Sequence, residues 1–135
     1  MKPDRTMKWL AVAAMAFGML TVFSGGRALF GSAGARADLG NIVPFVLWFN
    51  FMAGFVYVLA GVGLLQARRW AVPVSMLLAM STLLVFLAFA AHALTGGAYE
   101  TRTVGALSIR SLFWIAVALL AWRQMKMIPL GSGPP

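Results

Sequence analysis

The sequence predicts an all-α integral membrane protein, a bundle of four transmembrane helices with both ends in the cytoplasm. Three observations predict it. Hydrophobic residues make up 61% of the chain and the mean hydropathy is +0.87, against roughly 45–50% apolar residues in soluble domains. A soluble chain this apolar would lack the polar surface to stay dissolved, whereas a bilayer calls for apolar surface on every lipid-facing helix. Four long segments carry little or no charge, each near the roughly 20 residues that cross a hydrocarbon core of about 30 Å. Finally, the basic residues gather at the segment ends, where they set orientation. At 135 residues the chain reads as one domain.

The first helix is expected over residues 9–26, between Lys8 and Arg27. Its basic approach (Lys2, Arg5, Lys8) and the small-x-small triplet Ala35-Arg36-Ala37 have the look of a secretory signal. The triplet lies too far past the apolar run to serve as its cleavage site, so the segment is expected to remain as a helix. The second helix is expected over 41–66, ending before Arg68 and Arg69, and the third over 70–91, just before His92. The fourth, over 104–122, is interrupted only by Arg110 and stops at Arg123. Residues 129–135, rich in Gly and Pro, read as a flexible tail.

Lysine and arginine positions give the bundle a direction. One side collects Lys2, Arg5, Lys8, Arg68, Arg69, Arg123 and Lys126, and with them every lysine in the chain. The other carries Arg27, Arg36 and Arg102. The positive-inside rule places the first set in the cytoplasm of an inner (plasma) membrane, so that residues 27–40 and 92–103 face outward. Trp9, Trp70 and Trp122 each stand beside a basic residue at the inner boundary, as an aromatic belt requires. The net charge of +8 is spread between apolar runs and forms no stripe, which argues against nucleic acid as a partner. A faint internal echo pairs Lys8-Trp9 and Met15 with Arg69-Trp70 and Met76, and Ser24-Gly25-Gly26 with Thr95-Gly96-Gly97. Two related hairpins would leave such an echo; shared boundary chemistry leaves it too, and is the simpler reading.

Composition also excludes several chemistries. There is no cysteine, and therefore no disulfide, thiol relay, cysteine-ligated cluster or covalent haem. The sole histidine, His92, cannot build a metal site alone. Met76 and Met80, one helical turn apart, are more simply packing than copper ligands. Gly61-Val62-Gly63 is too short for a dinucleotide fingerprint, and no nucleophile–base pair or phosphate loop is visible. No catalytic set and no metal ligands are assigned, and any cofactor is left open.

Function is therefore sought among polar groups inside the apolar segments, each costly in hydrocarbon unless paired or hydrated. Arg110 lies about 9 Å past Val104 at 1.5 Å per residue, where insertion costs at least about 2.5 kcal/mol. It is expected either to snorkel outward or clamp Glu100, or to bind an anionic or polar ligand. Glu100 stands in the polar run Tyr99-Glu100-Thr101-Arg102-Thr103, where Thr101 or Thr103 would cap the fourth helix and Glu100 favour its positive end. The alternative makes Glu100 a proton or cation site at an outer mouth. Asn50 falls roughly 13 Å into the second segment and shares one helical face with Gly54, Tyr57 and Gly61. That face is expected to point into the bundle, with its small residues allowing close helix approach. His92 beside Glu100 offers a proton-sensing alternative to plain packing. Asn50, His92, Tyr99, Glu100, Arg102 and Arg110 thus form an expected polar cluster in the outer half.

One resemblance bears on the architecture. Ala53-Gly54, then Ala60-Gly61-Val62-Gly63-Leu64-Leu65, then Arg68-Arg69-Trp70-Ala71, with His92 closing the next helix, resembles the DoxX-like family of small four-helix bacterial membrane proteins. The resemblance covers the second and third helices, under half of the chain. It implies a four-helix inner-membrane bundle, and some members of that family are associated with membrane redox complexes, including quinone-linked sulfur oxidation.

The leading functional expectation is a non-enzymatic membrane subunit or small-ligand-binding protein. Its outer cluster would dock a partner, which could be a second copy or another membrane-complex subunit, or a small polar or anionic molecule. The alternatives are a small transporter or channel subunit acting as an oligomer, and a quinone-linked redox subunit. Polar groups thin out toward the inner half, whereas a conduction path would want polar lining throughout.

Overall fold

The computed structural model describes residues 4–37, 40 and 43–126. Every element in it is helical: α1 (Arg5–Phe30), α2 (Ala33–Ala37), α3 (Pro44–Leu65), α4 (Ala71–Leu94) and α5 (Thr101–Lys126). Four of them are long and apolar enough to cross a membrane. The expected tail at 129–135 lies outside the described residues.

Helix ends follow backbone chemistry and not the edge of apolarity, so the long helices differ from the apolar segments. α1 begins at Arg5, before the apolar run at Trp9, because the Asp4 side chain accepts a hydrogen bond from the Met7 amide at 2.8 Å. α3 begins at Pro44, whose fixed φ and missing N–H suit a first helical position. α5 begins at Thr101, so Glu100 and neither threonine precedes the helix, with the Thr103 amide donating to the Glu100 carbonyl at 3.0 Å. The short α2 carries no periodic apolar pattern, and nothing in the sequence announces it.

Two helices end in the same Schellman geometry with different residues. After α4, Gly97 N–H donates to His92 C=O at 2.9 Å and Gly96 N–H to Ala93 C=O at 3.2 Å, with Gly96 at φ +93°. After α3, Arg68 N–H donates to Gly63 C=O at 2.8 Å and Ala67 N–H to Leu64 C=O at 3.1 Å. There the left-handed position is held by an alanine, Ala67 at φ +58°, which costs roughly 1 kcal/mol or more relative to glycine. The suspected echo between Ser24-Gly25-Gly26 and Thr95-Gly96-Gly97 has no structural counterpart. Gly25 and Gly26 lie inside α1, whereas Gly96 and Gly97 terminate α4.

α1 and α3 run antiparallel and form the closest seam in the molecule, and α4 packs mainly on α5. A Cβ on Gly18 would stand 2.7 Å from the Gly54 carbonyl oxygen, and one on Gly61 2.8 Å from the Ala11 carbonyl oxygen. The two backbones therefore touch, which only glycine allows. Tyr57 fills the space beside them and is fully buried with Met7, Ala11, Ala14, Leu64 and Trp114. A smaller cluster of Val43, Val46, Phe89 and Leu107 closes the bundle at the end that carries α2. By contrast α1 and α5 scarcely meet, and the outward faces keep large apolar side chains such as Leu20, Phe23, Leu87 and Leu112 about two-thirds exposed.

Candidate functional site

Hydroxyls inside the long helices are mostly spent on their own backbone. Ser24 Oγ donates to Leu20 C=O, Ser75 to Ala71 C=O and Ser108 to Val104 C=O, each at 2.8 Å. Such bonds satisfy a polar group without reaching a neighbouring helix. Thr21 behaves differently. Its Oγ1 accepts a hydrogen bond from Arg110 Nη1 at 2.9 Å and so ties α1 to α5. Tyr57 OH on α3 is a second, longer acceptor for the same nitrogen at 3.5 Å. The guanidinium carbon also stands 4.8 Å from the centre of the Phe17 ring and 5.9 Å from that of Tyr57. Ring faces attract a cation by roughly 0.5–2 kcal/mol, more as water is removed.

The Arg110 side chain thus turns into the bundle and does not snorkel toward the boundary. Thr21 lies roughly 13 Å along α1 from Phe30, and Tyr57 roughly 20 Å along α3 from Pro44, at 1.5 Å per residue. Beneath the guanidinium an aromatic box closes the way: Phe17 to Tyr57 at 5.5 Å, Phe17 to Phe113 at 5.6 Å and Tyr57 to Trp114 at 4.9 Å between ring centres.

Above it, toward the α2 end, opens a cavity of about 350 Å³. α1 contributes Thr21, Ser24, Gly25 and Ala28; Val43, just before α3, and Val46, Leu47 and Asn50 on it form the next side. Glu100, Arg102, Thr103, Ala106 and Arg110 line the third side. No α4 residue takes part, so the cavity occupies the gap where α1 and α5 stand apart and α3 forms the back wall.

Two polar atoms of this lining are buried with no hydrogen-bond partner, Arg110 Nε and Asn50 Oδ1. An orphaned buried donor or acceptor costs about 1–3 kcal/mol, and more when the group is charged. The Arg110 guanidinium is thus held by hydroxyls and ring faces while its Nε–H goes unmet. Behind it, Ser111 Oγ and Trp114 Nε1 are also buried without partners.

The six residues expected to form one polar cluster divide into two groups. Asn50, Glu100, Arg102 and Arg110 line the cavity, with Arg102 exposed at its rim. Glu100 stands against Gly40, whose φ of +74° and lack of a side chain leave room for the carboxylate. His92 and Tyr99 lie outside the lining. The His92 Nε2–H donates to the Ala98 carbonyl at 3.0 Å and the ring covers Gly97, so this side chain organises the turn after α4. The Tyr99 ring meets Phe89 edge-on at 5.6 Å. The physical reason is the Schellman turn at Gly96, which folds residues 95–100 back over the end of α4.

Sequence reasoning missed Thr21, Phe17 and Ala106, and gave Tyr57 a packing role alone. For Tyr57 a signal existed, since a buried tyrosine hydroxyl needs a partner and Arg110 was the strongest donor available. Thr21 carries no such signal, because most hydroxyls of its kind bond within their own helix. Comparison with protein families, with curated proteins and with solved structures gives no match for the chain, so the reading of this site rests on its own geometry.

Proposed function

We propose that this chain is a multi-pass protein of the inner (plasma) membrane with both ends in the cytoplasm. Its cavity opens outward and binds a small polar or anionic molecule without catalysing its conversion. The observation that carries the reading is Arg110: a guanidinium at the floor of a cavity, held by two neutral hydroxyls, with its Nε–H unmet. A half-buried cation oriented in this way offers an anion a partner that is already held in place. The exposed apolar faces support membrane insertion. Exposed Trp9, Trp70 and Trp122 beside Lys8, Arg69 and Arg123, all at the end opposite α2, support the orientation. The aromatic box beneath Arg110 favours a closed-ended pocket over a continuous conduction path. The likeness to DoxX-like proteins enters at the level of architecture alone, as a four-helix bundle.

The test is equilibrium binding to the purified protein in lipid nanodiscs, using a panel of small anions and neutral polar molecules. At least one should bind, and Arg110→Leu should weaken it by about ten- to a hundredfold, the equivalent of one charge-assisted hydrogen bond. Binding of no panel member, or equal binding by the variant, overturns the proposal.

A further inference from the structure

The cavity lining narrows the ligand class, on the premise that the proposed pocket binds a small molecule. We propose that it takes a molecule with one acidic head, a carboxylate, on a short apolar body, and that the head goes in first. The head is identified by the guanidinium. Thr21 and Tyr57 both engage Nη1 and Nε is buried, yet Arg110 lines the cavity and is only half-buried, so part of its charged fork stays open to a ligand. A carboxylate meets such a cation with charge-assisted hydrogen bonds, roughly twice as strong as those of an uncharged acceptor. Above this floor the walls are mainly apolar or small, with Ala28, Val46, Leu47 and Ala106 between the guanidinium and the mouth and the uncharged polar groups of Ser24, Asn50 and Thr103 beside them. They match a hydrocarbon or ring body and would leave a second charged group unsolvated.

The charge count limits the ligand to one negative charge. At the mouth, Glu100 and Arg102 offset each other in formal charge, leaving Arg110 as the unbalanced cation of the lining. A dianion would place its second charge among apolar walls or near the Glu100 carboxylate. A zwitterion would bury an ammonium whose one anionic partner in the described lining, Glu100, stands at the rim. About 350 Å³ holds about twelve water-sized groups at roughly 30 Å³ each, which leaves room for a carboxylate head on a body of about five or six carbons. Because the cavity lies between α1 and α5, which scarcely meet, a carboxylate could arrive from water through the mouth or from the bilayer between these helices. Both routes share one chemistry.

Calorimetric titration of the full chain in nanodiscs tests the inference with hexanoate, hexanamide, adipate, 6-aminohexanoate and bilayer-dissolved palmitate. Hexanoate should bind at least about tenfold tighter than hexanamide, adipate or 6-aminohexanoate. Arg110→Gln should remove that preference. Palmitate binding with none for hexanoate overturns the short-bodied ligand, whereas binding of both supports the carboxylate site and shows that it can also be filled from the membrane. Ala106→Phe fills the cavity and leaves Arg110 in place, so it should abolish hexanoate or palmitate binding even where Arg110→Gln fails to fold. Equal binding of hexanoate and hexanamide overturns the acidic-head inference and leaves the pocket standing. Carboxylate binding that survives Ala106→Phe places the site elsewhere and overturns it too. Silence from all five probes, if the wider anion panel still yields a ligand, overturns the inference alone; silence from both sets sinks the pocket as well.

Discussion

Arg110 is held by contacts of unequal worth, and that inequality sorts its neighbours. The bond to Thr21 at 2.9 Å is well formed, whereas the bond to Tyr57 at 3.5 Å lies at the limit of a hydrogen bond. Thr21→Val keeps the side-chain volume and removes the acceptor, leaving a second guanidinium N–H unmet. It should cost about 1–3 kcal/mol, read by denaturant titration in mixed micelles, while Thr21→Ser should cost far less. Tyr57→Phe should cost under about 1 kcal/mol, because the ring keeps its contact with Trp114. Equal losses in the two variants would mean that packing, and not hydrogen bonding, fixes the guanidinium.

At the scale of helices, the glycines separate into those that a neighbour requires and those that none does. Gly18 and Gly54 sit where two backbones meet, so Gly18→Leu should force α1 from α3 and destabilise by about 3 kcal/mol or more. Gly105, exposed on α5 with nothing near its missing side chain, is the counter-case. Gly105→Ala should gain about 0.5–1 kcal/mol from helix propensity. The left-handed caps make a second matched pair: Ala67→Gly should stabilise and Gly96→Ala destabilise, each by roughly 1 kcal/mol. Thermal unfolding in one detergent would check all four signs. The four long helices were legible because runs of apolar residues bounded by Arg and Lys leave little else to form. The face that joins Gly54, Tyr57 and Gly61 was legible from helical spacing, and all three are buried. Their partner was not legible, since Gly18 and Ala11 on α1 become meaningful only once the pairing of helices is known. The cavity was half legible. Intramembrane polarity points to Arg110 and Asn50, but no pattern assigns Thr21 to them, and the turn that takes His92 and Tyr99 away depends on the conformation at Gly96.

For the whole molecule, the absence of cysteine makes orientation directly measurable. Leu94, 87% exposed at the α2 end, can be replaced by cysteine, and so can Arg68 at the opposite end. In intact cells an impermeant thiol reagent should label Leu94→Cys, and should reach Arg68→Cys only after permeabilisation. The reverse pattern would invert the proposed topology and place the cavity on the cytoplasmic side. The architecture also carries a consequence in time. The tightest seam joins α1 to α3, yet roughly 35 residues of synthesis separate the end of one from the end of the other. At about 5–20 residues per second, α1 waits for seconds with its glycine strip and Thr21 unmatched. Arg110 comes later still, so the bond that completes the cavity floor waits for α5, made after both helices of the seam. Nascent chains arrested after α3 should already hold the glycine seam, and only release of α5 should assemble the pocket.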